Sequence, residues 1–208
     1  MNPMVNLENR FRNTISLYSQ EQNLIRSLWL EINDHYTEKH RTYHNKTHLI
    51  ELLNYFDTYN EQVLNPTILE LSIFYHHIIY NVWKKNNEEK SALLAINKLA
   101  KINLAPTDLI LIQQQILATK THFTEDNDTK WLIDFDLGIL GKPYKTYQNC
   151  AQLIRKEYKL IPQTIYKKRR KKVLTHFIQK SFIYATDSFR NLYEKQAKSN
   201  LINELNSL

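Results

Sequence analysis

A chain of 208 residues can bury one substantial core, and its 42% hydrophobic and 24% charged content is that of an ordinary globular protein. Two glycines and five prolines are too few turn formers for an all-β fold. The net charge of +7 favours anionic ligands, and the single cysteine, Cys150, excludes an internal disulfide and fits a reducing, cytoplasmic setting.

The amino-terminal MNPMVNLENRFRNT has no apolar centre of the kind a secretory leader needs. No run of about 18 apolar residues is present, so no membrane partner is expected. From residue 21 onward the pattern is helical. EQNLIRSLWLEINDHY sets Leu24, Leu28, Ile32 and Tyr36 at four-residue steps along one stripe. THLIELLNYF continues the period. NPTILELSIFYHHIIYNV (65–82) opens on Asn65 as N-cap and Pro66 at the first helical position, and is apolar nearly all round, as a central bundle helix should be.

NNEEKSALLAINKLAKI carries Glu88 and Glu89 in its first turn, and APTDLILIQQQILATKTH opens on Pro106. The polar loop TEDNDT precedes KWLIDFDLGIL. Gly141 and Pro143 separate that helix from YKTYQNCAQLIRKEYK, and Pro162 opens QTIYKKRRKKVLTHFI. A last amphipathic stretch runs from about Asp187 to Leu205. With no long linker, repeat or low-complexity tract, the expectation is one all-α domain over 1–208, of about nine or ten helices. The basic run Lys167–Lys172 lies inside a helical pattern and reads first as a solvated face, which leaves nucleic acid a disfavoured partner.

Three places break the plain bundle pattern. His44 and His48 are spaced i, i+4, so that on a helix they share a face; such pairs bind metals and also arise by accident. His76 and His77 stand side by side in an apolar segment. Helical neighbours point about 100° apart, so both can enter one pocket only at a helix end or a distorted turn. Asp134 and Asp136 interrupt WLIDFDLGIL, and a buried carboxylate needs a cation or several donors. Imidazole and carboxylate together suit a first-row divalent metal.

In these segments the chain resembles the HD-domain superfamily of metal-dependent phosphohydrolases. YHNKTHL (43–49) is similar to the YHNxxH motif of cyclic-nucleotide phosphodiesterases, YHHIIYN lies where the His-Asp doublet is expected, and DFDLGILG resembles the last metal motif. HRTYHNKTHL, NNEEKSA, LATKTH, IRKEY and YKKRRKKVL extend the resemblance over about 36–193, to a bacterial group of predicted HD phosphohydrolases. The resemblance implies an HD-domain-like bundle that hydrolyses a phosphate ester or nucleotide. It makes His44 the proton donor and His48, His76 and Asp136 the metal ligands, with His77 added. Asp134, Asn81, Glu88 and Glu89 become alternative or outer ligands. Lys120, His122 and Arg155 are candidates for phosphate contacts, and read equally well as surface charges or salt-bridge partners.

The chain departs from the family pattern at His77, where an Asp is expected, and at Asn81, also commonly Asp. A doublet Asp bridges two metals through its two oxygens, whereas an imidazole ligates through one nitrogen at a time. The expectation is therefore one divalent transition ion (zinc, iron, nickel or manganese), or a degenerate relative that binds a nucleotide or protein partner without turnover.

Overall fold

The computed structural model describes residues 6–208; the first residues of the amino-terminal stretch, read above as lacking a leader, lie outside them. The fold is all-α. Among the described residues, ten helices form in chain order: α1 (Leu7–Ser16), α2 (Gln22–Tyr36), α3 (Lys46–Tyr59), α4 (Pro66–Tyr75), α5 (Asn87–Leu99), α6 (Pro106–Thr121), α7 (Asn127–Leu137), α8 (Tyr144–Glu157), α9 (Gln163–Gln179) and α10 (Asp187–Ser207). Short 3₁₀ turns follow α3 and α7, and no strand occurs among the described residues. Among the described residues, no helix is long and apolar enough to cross a membrane. The residues group into two compact units, 1–132 and 133–208.

In the first unit α4 is the central element, packed on α1, α3, α5 and α6. Its side chains Ile68, Leu69, Leu71, Ile73, Phe74 and Tyr75 are all buried, which is why no polar face was legible in this segment. Helix α1 was not expected from the sequence. It is only ten residues long, but Leu7, Phe11 and Ile15 form a buried i, i+4 stripe, and the Phe11 ring meets Phe74 edge-on at 5.1 Å. Asn65 occupies the N-cap of α4 as expected, but its side chain makes no cap bond there. The buried carboxylate of Asp128, in the first turn of α7, instead accepts from the backbone N–H of Leu64 and of Asn65 at 2.8 and 2.7 Å. TEDNDT is correspondingly shorter as a loop than expected, because Asp126 accepts from the backbone and hydroxyl of Thr129 and starts the helix at Asn127.

In the second unit α10 packs on α8, α9 and the 3₁₀ turn Gly138–Gly141. The buried Asn200 amide donates to the carbonyls of Leu140 and Lys142 at 2.7 and 2.8 Å, which fixes that turn against the helix. Gly141 is required by contact. A Cβ there would overlap Cβ of Tyr193 and stand 2.8 Å from the Tyr184 hydroxyl. Tyr193 Cβ is tied to the α10 backbone and cannot swing away. Gly141→Ala should therefore destabilise the protein by about 2–3 kcal/mol, seen as a lower urea midpoint; an unchanged midpoint would show that α10 shifts freely. Cys150 is the one cysteine, reduced and 6% exposed.

Candidate metal centre

The site begins at the start of α3. Asn45 is the N-cap, and its Oδ1 accepts from the Thr47 backbone N–H at 2.9 Å. His48 therefore sits in the first turn of α3, while His44 lies in the turn before it. The expectation that both share a helix face is corrected: Asn45 cannot cap the helix unless His44 is outside it. The two rings still lie 5.5 Å apart. His48 is buried, and His44 is half-buried with its ring stacked on Tyr80 at 4.3 Å.

The second histidine pair lies at the other end of α4. The helical reading ran to Val82, but α4 ends at Tyr75. The Ile78 N–H turns back to the Tyr75 carbonyl at 3.1 Å. The cause is Arg41, which the sequence reading did not single out. Its guanidinium is buried and donates to the carbonyls of His77 and Ile78 at 2.6 and 2.7 Å, and to Glu38 at 2.8 Å. Those carbonyls are then satisfied without a further helical turn. The His77 N–H donates to the Tyr36 hydroxyl at 3.2 Å. His76 and His77 stand at this helix end with ring centroids 4.2 Å apart.

The His76 Nδ1–H donates to the Ile73 carbonyl at 2.7 Å, which leaves Nε2 as the lone-pair nitrogen. That nitrogen lies 3.3 Å from Nε2 of His48. Two nitrogens on a tetrahedral zinc, with bonds of about 2.05 Å, are about 3.3 Å apart. His77 closes the group, its ring 5.6 Å from His48 and 4.9 Å from His44. One ligand atom each from His48, His76, His77 and Asp136 lies within 4.8 Å of the others, so this set can hold a metal ion. The donor set, three imidazoles and one carboxylate, fits a borderline transition ion better than magnesium or calcium.

Asp134 has a different role. It is fully buried and accepts from the backbone N–H groups of Ala185 and Thr186 at 2.6 and 2.7 Å, and from the Thr186 hydroxyl at 2.6 Å. It thereby ties down the start of α10, as Asp128 does for α4. Burial pushes its carboxyl up to about 6, against the opposing pull of those three donors and of Arg190.

Asn81 accepts from the Trp83 N–H through its side chain and caps a turn with Asn87. Glu89 pairs with Lys120, whose ammonium also donates to the Lys85 carbonyl at 2.8 Å; the bond to Lys120 holds the Glu89 carboxyl below its ordinary range. Glu88 is half-buried in the same first turn of α5. His122 is the left-handed C-cap of α6, with φ of 52°. Arg155 is occupied within its own unit: it donates to Gln163 and to the carbonyls of Tyr158 and Ile161, and lies 4.6 Å over the Tyr166 ring. In comparisons with protein-family models, curated proteins and solved structures, the chain matches none.

Proposed function

We propose that this chain is a metal-dependent phosphohydrolase that uses one divalent transition ion to cleave a phosphate ester, with a nucleotide as the natural substrate class. The observation that carries the reading is the convergence of His48, His76, His77 and Asp136. The HD-like motif order YHNKTH, HH and DFD supports it from the sequence side. When bound, such an ion supplies Lewis acidity at a phosphoryl oxygen and a water of lowered pKa. His48 and His76 would hold it, with the Ile73 carbonyl fixing the His76 tautomer. His77 and Asp136 would complete the set. His44, half-buried and stacked on Tyr80, would hand a proton to the leaving oxygen as a general acid. Arg41 would act as a positioning residue by holding the His77 carbonyl.

A second reading, binding of a nucleotide without turnover, is favoured by His77 itself, since an imidazole stands where a bridging carboxylate would recruit a second cation. One experiment separates the two. Protein prepared without chelator or a histidine tag is assayed for bound metal and for hydrolysis of bis-p-nitrophenyl phosphate and a nucleotide panel. About one zinc, iron, nickel or manganese per chain, lost in His48→Ala, together with turnover, supports the hydrolase. An ion without turnover on any substrate supports the binder. No ion after incubation with each of the four metals sinks both forms of the metal reading. His77→Asp should weaken zinc retention and shift preference toward manganese, because it trades nitrogen for oxygen. Competition between the two metals measures that shift, and an unchanged preference would place His77 outside the ligand set.

A further inference from the structure

The whole positive excess of the chain resides in its second unit. Residues 133–208 carry 15 Lys and Arg against 6 Asp and Glu, a net +9, whereas residues 1–132 carry 13 against 15, a net −2. Within the second unit the charge concentrates on α9, whose 17 residues QTIYKKRRKKVLTHFIQ contain no acidic side chain.

The helix sorts that run by function. Tyr166, Leu174 and Phe177 form its buried side. Arg170, on that side, is bound to Glu204, and Lys167 at its edge donates to the Leu208 carbonyl at 2.7 Å. The remaining four, Lys168, Arg169, Lys171 and Lys172, are exposed on the opposite side and make no ion pair or hydrogen bond among the described residues. At about 1.5 Å of rise per residue, four charges occupy about 6 Å of helix axis. A nucleic-acid duplex carries one negative charge per about 1.7 Å of its own axis. The two charge densities match.

We propose that this face of α9 binds the phosphate backbone of duplex nucleic acid without sequence preference. The proposal is independent of the metal reading. The run alone reads as a plain solvated face. The added observations are that two of its six charges are used internally, that four are left on one side with no acidic neighbour on the helix, and that residues 1–132 are net negative. Anionic membrane is the poorer occupant, because helices that lie in the interface bury Trp, Phe or Leu. The large apolar residues exposed on α9 are only Ile165 and Val173.

The test is fluorescence anisotropy of the full chain with a labelled 20-base-pair DNA duplex and its RNA counterpart, between 50 and 200 mM KCl. Four phosphate contacts predict a slope of log affinity against log salt of about −3 to −4, a loss of roughly a hundredfold over that range. Lys168→Gln, Arg169→Gln, Lys171→Gln and Lys172→Gln combined should remove most of that slope, with the helical circular dichroism intact. A control that neutralises Lys84, Lys85, Lys90 and Lys101 has the same net charge and should bind within about threefold of wild type. Binding to either duplex with this pattern supports the proposal, and the tighter one identifies the natural form. Absence of binding at 50 mM KCl overturns it. Equal losses in variant and control overturn it too, since net charge alone would then explain binding. So does capture by vesicles containing phosphatidylserine when neither duplex binds.

Discussion

Asp134→Asn should lower the melting temperature while the bound ion stays, and Asp136→Asn should remove the ion while the fold stays. The two carboxylates are two residues apart on one helix, yet their partners differ in kind. Asp134 accepts three hydrogen bonds at the start of α10 from a fully buried position. An Asn there keeps one acceptor oxygen and turns an NH₂ group toward a backbone N–H. At least one buried donor is then left unsatisfied, at a cost of about 2–3 kcal/mol. For a chain of this length that corresponds to a fall in Tm of roughly 5–10 °C. Asp136 is half-buried and contributes a ligand atom to the histidine group. Its amide variant loses the only anionic donor of the set. Metal affinity should drop by more than the ~10–100-fold typical of losing an outer-shell partner, with the melting temperature of the metal-free protein unchanged. Calorimetry of metal-free protein and metal titration measure the two effects separately. If Asp134→Asn lost the ion and Asp136→Asn did not, the ligand assignment would have to be reversed.

The second large effect concerns the buried ion pair of the second unit. Arg170 donates to both oxygens of Glu204 at 2.7 and 2.8 Å, and the Tyr147 hydroxyl also donates to Glu204. Both charged side chains are nearly enclosed, at 13% and 12% exposure. Removing only the carboxylate strands the guanidinium, so Glu204→Ala should cost about 3–5 kcal/mol. The double variant Arg170→Met/Glu204→Leu should recover most of that loss. Burial alone would raise the Glu204 carboxyl, but the Arg170 hydrogen bonds and charge outweigh it and hold it below its ordinary value. A depressed carboxyl contributes stability that is present above its unfolded pKa, near 4.5, and is lost as pH falls through the folded value. Urea melts between pH 7 and pH 3 should therefore show an acid-side loss that is smaller in Glu204→Gln. Parallel curves for the two proteins would show that Glu204 contributes nothing to acid sensitivity.

The helical architecture was legible because periodic apolar stripes, Pro at first helical positions and first-turn acids are local signals. Helices α2, α6, α8 and α9 fall within a residue or two of their expected bounds, while α3 runs three residues beyond the expected stretch and α5 stops three residues short of it. The end of α4 was not legible, since nothing in FYHHIIYNV marks a stop and the stop is imposed by Arg41 from 36 residues earlier. The doublet nevertheless carried its own clue. Two adjacent histidines can share a pocket only where a helix ends, and the helix ends there. His48, His76, His77 and Asp136 were readable as candidates from residue type and motif order. The division of labour between Asp134 and Asp136 was not, because the amides that Asp134 binds lie 51 and 52 residues further on. Arg41 shows the same limit: its importance comes from the two carbonyls it reaches, and a side chain's reach across the fold leaves no periodicity in the chain.

The buried state of Cys150 has a practical consequence for every metal measurement proposed above. A thiol enclosed in the core forms intermolecular disulfides and sulfenic acid slowly, because both reactions need an accessible thiolate. The protein can accordingly be purified, stored and titrated without dithiothreitol or mercaptoethanol. Those reductants are themselves thiolate ligands for zinc and nickel and would compete with an imidazole-rich site. Metal content measured in their absence reports retention by His48, His76, His77 and Asp136 without a competing thiolate.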